Sequence, residues 1–302
     1  DDGSLYCWGN NGNGQVGDGT TTIKNTPVSV GLPSGRTAIS ISVGGFHTCS
    51  ILDDGSLYCW GSNDNGRLGD GTTTDSYYPV LVSIPSGRTA VSVDAGLYHT
   101  CAILDDYSLY CWGFNGFGGL GDGTTADRST PVSVSLPSGR TASIVTVGGA
   151  HTCAILDDDS LYCWGRNNFG QLGVGTFTDS SAPASVSLPS GRTAAAVEGG
   201  HVHTCAILDD GSAYCWGQNT YGALGDGTTS HRNSPTSVSQ GLNTAATSQT
   251  PCPAGTYQPS SGQSSCIDAS AGYYVYERNP SAASAGFVGT CAILDDSSLK
   301  CW

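Results

Sequence analysis

The sequence predicts an all-β protein, a β-propeller built from four-stranded blades, on three observations. A unit of 52 residues recurs, marked by Cys7-Trp8, Cys59-Trp60, Cys111-Trp112, Cys163-Trp164 and Cys215-Trp216. Each complete unit holds four short runs with strand character, and no stretch of ten or more residues carries helical periodicity. Four strands in a period of this size suit one propeller blade better than a solenoid coil of about 20–30 residues.

The unit from Ser86 to Pro137 shows the elements in order. TAVSVDAG (89–96) alternates polar and apolar residues, as a half-buried strand does. HTCAIL (99–104) and SLYCWG (108–113) are apolar-rich runs joined by Asp105-Asp106-Tyr107, where the preceding unit has Asp53-Asp54-Gly55, a tight hairpin turn. A Gly- and Thr-rich loop then leads to PVSVSL (131–136), the fourth strand. A sixth Cys-Trp, Cys301-Trp302, follows the fifth by 86 residues, one period plus 34. About five blades are expected, with partial blades at the ends and a small cysteine-rich insert. The expected organisation is propeller repeats over 1–243, a Cys/Ser/Pro-rich module or linker over 244–284, and the start of a further blade over 285–302.

Cysteine spacing adds a covalent framework. Cys49/Cys59, Cys101/Cys111, Cys153/Cys163, Cys205/Cys215 and Cys291/Cys301 lie ten residues apart. A turn centred on the second Asp sets the two members opposite each other on antiparallel strands, within disulfide reach. Closing each such loop stabilises its hairpin by roughly 2.8 kcal/mol on the chain-entropy model. Cys252 and Cys266 pair naturally inside CPAGTYQPSSGQSSC, which leaves Cys7 unpaired; its partner in the repeat would precede residue 1. Zinc fits poorly, because one blade offers two cysteines and one histidine. Such a framework belongs to an oxidising compartment, so the chain is expected to be extracellular, secreted or at the cell surface.

Composition narrows the partners. The 302 residues carry 12% charged side chains, against about 25% in ordinary domains. A net charge of −14 with 11 Lys and Arg disfavours wrapping a phosphate backbone, so nucleic acid is not an expected partner. No run approaches 18 consecutive apolar residues, so no membrane insertion is expected. There is no methionine and no opening signal-peptide pattern, and the first residues fall inside a hairpin; a longer precursor is the expectation. Strand edges left by such a cut would be completed by neighbouring sequence or a neighbouring copy.

The run GGxHTCAILDDGSLYCWGxNxxGxLGDGTT resembles the repeat of the regulator-of-chromosome-condensation propeller family over residues 1–243 and again over 286–302. The resemblance implies a propeller of about seven blades in the whole domain. Functionally it implies several classes, among them a nuclear exchange factor, a plant light sensor and secreted inhibitors of other proteins. The paired cysteines depart from the intracellular members. CPAGTYQPSSGQSSC followed by AGYY resembles a short cysteine-rich module of ephrin-receptor-like extracellular proteins.

No catalytic constellation is visible. His47, His99, His151 and His203 recur in every complete unit and read as repeated strand hydrogen bonds, since a catalytic histidine occurs once, with unique partners. The Asp-Asp pairs are turn residues. Asp18, Asp70, Asp122 and Asp226 in the GDGTT loops lack the ligand count of a calcium loop. The repeated tryptophans read as blade packing. No cofactor and no metal are therefore expected, and the chain is read as non-enzymatic.

Binding is expected where the units differ. Aromatic residues on loops otherwise made of Gly and Asn are typical interface anchors. The candidate partner-binding patch is Tyr98, Phe114, Phe117, Arg166, Phe169 and Tyr221. The expected partners are other proteins or copies of the chain itself. The leading function is a structural or interaction scaffold, with a surface appendage or filament in view. A secreted binding or inhibitory propeller is the alternative, and a regulator of a small GTPase the third. No Asn-x-Ser/Thr sequon occurs; the Ser/Thr-rich loops are candidate points for O-linked sugar.

Overall fold

A two-stranded ribbon opens the chain, β1 (Tyr6–Gly9) with β2 (Lys24–Ser29). The computed structural model describes residues 4–239, together with the backbone of short strands farther on. Four four-stranded antiparallel meanders follow the ribbon. The first blade is β3 (Ala38–Val43), β4 (His47–Leu52), β5 (Leu57–Gly61) and β6 (Ser76–Leu81). The second is β7 (Ala90–Ala95), β8 (His99–Leu104), β9 (Leu109–Gly113) and β10 (Arg128–Ser133). The third is β11 (Ala142–Val147), β12 (His151–Leu156), β13 (Leu161–Gly165) and β14 (Ser180–Ser185). The fourth is β15 (Ala194–Gly199), β16 (His203–Leu208), β17 (Ala213–Gly217) and β18 (Arg232–Ser237). One 3-10 turn, Asp64–Gly66, is the sole helical element among the described residues. The predicted fold class, four-stranded blades in a 52-residue repeat, is the fold observed.

Beyond residue 239, the backbone forms β19 (Thr256–Tyr257) with β20 (Ile267–Asp268). A further meander comprises β21 (Pro280–Ala285), β22 (Thr290–Leu294) and β23 (Leu299–Cys301). Cys291 stands opposite Cys301 in its register. The pairing expected for Cys252 and Cys266 lies outside the described residues.

The hairpin between the second and third strands follows one rule. Leu52 N–H bonds Ser56 O and Gly55 N–H bonds Leu52 O, so the turn closes on a left-handed residue, Gly55 at φ 76°. Tyr107 and Asp159 hold that place in the next two blades, both at φ 62°. A side chain there strains the backbone by about 1–2 kcal/mol, whereas glycine is at ease. Tyr107→Gly, at a ring that is mostly exposed, is therefore expected to raise stability by about 1 kcal/mol in chemical denaturation.

The turn sets Cys49 against Cys59, Cys101 against Cys111, Cys153 against Cys163 and Cys205 against Cys215. Each pair is bonded, with Cα atoms 4.1 Å apart. Cys7 is a free, partly exposed thiol.

The core lies between blades rather than inside one. Cys49, Ile51, Leu57, Cys59, Leu68 and Val82 of the first blade pack on Ala90, Val93, Leu104 and Trp112 of the second. The same layer recurs one unit later, with Leu120 and Val134 meeting Val145, Leu156 and Trp164. First strands of adjoining blades pack together, so they form the inner wall of the ring.

A polar seam crosses each junction. The backbone oxygen of Arg67 accepts Trp112 Nε1–H at 2.9 Å and Thr100 Oγ1–H at 2.9 Å, both from the next blade. Gln15, Gly119 and Gln171 do the same for Trp60 and Thr48, Trp164 and Thr152, and Trp216 and Thr204. The glycine two residues beyond each carbonyl lets the indole lie against the backbone: a Cβ on Gly121 would stand 2.6 Å from Trp164 Nε1. These four indoles are fully buried, while Trp8, ahead of which no described loop lies, is 63% exposed.

Candidate functional site

Antiparallel meanders bring loops to two opposite faces. The Asp-Asp turns lie on one. The loops between first and second strands, and between third and fourth strands, lie on the other.

On the first face, each Arg of the Ser-Gly-Arg-Thr segment pairs with the Asp-Asp turn of its own blade. Arg36 reaches Asp54 at 2.7 Å and Asp53 at 3.7 Å, and Arg88, Arg140 and Arg192 repeat the arrangement. These carboxylates are therefore structural. Ser56 and Arg36 hold Asp54 below the usual carboxylate range.

The repeated histidines tie blades together. His47 Nε2 lies 2.7 Å from Thr100 Oγ1, His99 Nε2 lies 2.7 Å from Thr152 Oγ1, and His151 Nε2 lies 2.9 Å from Thr204 Oγ1. Each threonine has already given its one hydrogen to a loop carbonyl, so the imidazole Nε2–H must be the donor. The Nδ1 atoms of His47, His99 and His151 are buried without a partner. Burial, with charge from Arg67 and neighbouring imidazoles, pushes these three rings down to about 3. They are neutral struts, in line with the strand-bond reading, although their partner sits in the next blade rather than in their own strand pair.

The GDGTT aspartates also turn inward on their loops. Asp18 Oδ1 accepts Thr20 N–H and Asn11 Nδ2–H, and its other oxygen meets Lys24 Nζ at 2.6 Å. Arg128 holds Asp122 and Arg232 holds Asp226 in the same way. No group of three or more metal-ligating side chains occurs among the described residues.

The opposite face carries a cleft of about 500 Å³ lined by Asp64, Asn65, Arg67, Tyr98, Phe114, Phe117 and Arg166. It spans three blades. Tyr98 and Phe114 meet edge to face with centroids 5.8 Å apart, and Phe114 meets Phe117 at 5.7 Å. The Arg166 guanidinium, from the third blade, lies 4.8 Å from the Phe117 ring centroid. At the other end Arg67 is almost wholly buried; it donates to Leu97 O at 3.1 Å and lies 3.6 Å from Asp64.

Four of the six residues singled out from sequence thus share one site. Phe169 is elsewhere, packed edge to face on His231 at 5.2 Å, and Tyr221 is 79% exposed. Phe169 and Tyr221 stand one and two units beyond Phe117, on later blades, whereas Arg166, one unit beyond Phe114, reaches back over Phe117. Sequence reading passed over Asp64, Asn65 and Arg67. For Arg67 the signal is present, since the residue between Gly and Leu or Val varies as Gln15, Arg67, Gly119, Gln171 and Ala223.

Comparison with known proteins agrees with this geometry. The chain is 33% identical over 263 residues to the ultraviolet-B receptor UVR8 of Arabidopsis thaliana, covering 87% of this chain and 60% of that protein. Human WBSCR16 superposes with a TM-score of 0.73 at 18% identity, over 93% of this chain and 65% of that one. Yeast RCC1 (Prp20), solved bound to Kap60, gives 0.57 at 18% identity over 99% of this chain and 78% of that one. The RCC1-like domain model matches residues 1–256, and with the bladed fold and its repeated Trp-to-carbonyl seam this settles the assignment: the chain belongs to the RCC1-like domain family.

Proposed function

We propose that this chain is a non-enzymatic interaction propeller that works outside the cell, as a structural or recognition scaffold. The observation that carries the reading is the bonded cysteine pair at one place in each of the four described blades. Hairpin disulfides at that density belong to an oxidising exterior. Interaction is supported by the three-blade aromatic cleft, and by yeast RCC1 (Prp20), a propeller of this fold whose crystal structure holds it bound to Kap60. The histidines and aspartates that resemble catalytic groups are engaged in seams and turns, which favours a scaffold over an enzyme.

Thiol titration of the purified chain under denaturing, non-reducing conditions tests the compartment. About one reactive thiol is expected; ten or more would overturn the extracellular reading. Sedimentation velocity over a range of concentrations separates the two forms of the proposal. Assembly that grows with concentration marks a filament or appendage component, and a stable monomer marks a secreted binding module.

A further inference from the structure

Nine basic side chains lie among the described residues, and eight of them are ion-paired. Lys24 meets Asp18; Arg36, Arg88, Arg140 and Arg192 meet the Asp-Asp turns; Arg67 meets Asp64; Arg128 and Arg232 meet Asp122 and Asp226. The ninth is Arg166. In a chain of net charge −14 it has no carboxylate partner among the described residues, and its guanidinium lies over Phe117 at the edge of the aromatic cleft.

We infer that this cleft binds a protein segment presenting an acidic side chain beside an apolar or aromatic one. The inference rests on the interaction reading above and names the chemistry of the partner. A planar guanidinium held against a ring keeps its N–H edge available for a two-pronged carboxylate contact. Stacking also fixes the side chain beforehand, so less rotamer freedom is lost on binding. Next to that charge, Tyr98, Phe114 and Phe117 are half-buried, with ring surface left open to a neighbouring side chain.

The far end of the cleft does not compete for the carboxylate. Asp64 faces solvent, with Arg67 at 3.6 Å and the Ser62 hydroxyl at 3.2 Å as its neighbours, and it makes no ion pair with Arg166. Arg166 is the cleft's uncompensated charge, and a positive one. The cleft, of about 500 Å³, is open to solvent and admits a short stretch of extended chain laid across it. The commitment is to an acidic side chain of another protein.

Three capped peptides serve as probes for the full 302-residue chain: acetyl-Gly-Glu-Phe-Gly-amide and its Glu→Gln and Phe→Ala counterparts. Calorimetry at 50 mM and 300 mM salt is expected to show the Glu peptide binding at least about 10-fold more tightly than the Gln peptide, in line with a charge-assisted contact. The Phe→Ala peptide is expected to bind more weakly than the parent. Arg166→Gln should bring the Glu/Gln ratio to about one, and Phe117→Ala should weaken both peptides. Melting curves establish that each variant folds; if Phe117→Ala does not, the Arg166→Gln ratio decides alone.

Equal affinity for the Glu and Gln peptides, an unchanged ratio in Arg166→Gln, or no binding of the Glu peptide at millimolar concentration overturns the inference. A partner retained equally by the wild-type chain and by Arg166→Gln removes this cleft chemistry and leaves the interaction reading standing. A chain that retains no partner and does not self-associate removes the interaction reading itself.

Discussion

Lowering the pH from 7 to 4 is expected to unfold this propeller, through its histidines. His47, His99 and His151 sit at about 3, each buried at a blade junction, and His203, also buried, sits at about 4. The same rings in the unfolded chain titrate near 6.5. Their folded values are depressed, so the stability they confer is complete above 6.5 and is lost as pH falls towards 3–4. A ring displaced by three units or more contributes on the order of 4 kcal/mol across that window. Three such rings, with a smaller share from His203, rival the whole net stability of a typical domain, about 5–15 kcal/mol.

Two carboxyls oppose the trend, since burial raises Asp94 as well as Glu198. Burial and the nearby charge of Asp94 raise Glu198 to about 7, so it favours the folded state increasingly as pH falls from 7 towards its ordinary value. These two carboxyls are outnumbered by the four imidazoles. Guanidinium melts at pH 7, 6 and 5 should show a midpoint falling at each step, with proton uptake on unfolding. A midpoint constant from pH 7 to 5 would mean that the imidazoles are protonated in place. Glu198→Gln should steepen the fall, because it removes part of the opposing slope.

Gly121→Ala is expected to cost on the order of 4 kcal/mol, the sum of a left-handed backbone and an overpacked contact. Gly121 has φ 68°, and its added Cβ would meet Trp164 Nε1 at 2.6 Å and Cε2 at 2.9 Å. The indole would have to leave the Gly119 carbonyl, breaking the 2.9 Å bond and opening the seam between the second and third blades. Gly123→Ala is the control. Its φ is 80°, but a Cβ there meets nothing within 4 Å, so it carries only the backbone strain of about 1 kcal/mol. Denaturation of the two variants side by side measures the contact alone. Equal losses would show that the indole yields without penalty.

How far these features can be read from the sequence depends on how local they are. The hairpin cysteines, the Asp-Asp turn and the strand alternation depend on residues within about ten positions of each other, so the spacing carries them. The seam does not show, because Trp112 and Thr100 reach a backbone oxygen, and any residue type can supply one. His47 was legible as a structural residue, but its partner Thr100 is 53 positions away. The special standing of Arg166 is a matter of what surrounds it: net charge hides which cation lacks an acid. In the fourth blade, the place taken by Asp75, Asp127 and Asp179 is held by His231, whose Nδ1 accepts the Asn219 N–H. That exchange also gives Phe169 a ring to rest on, away from the cleft.

The seams have a direction. In every one, the accepting oxygen precedes in the chain the indole and hydroxyl that seek it, by 45 and 33 residues. As the polypeptide leaves the ribosome, the dock is therefore made before the sheet that moors to it. Each arriving sheet can bury its tryptophan against a dock that is already in place.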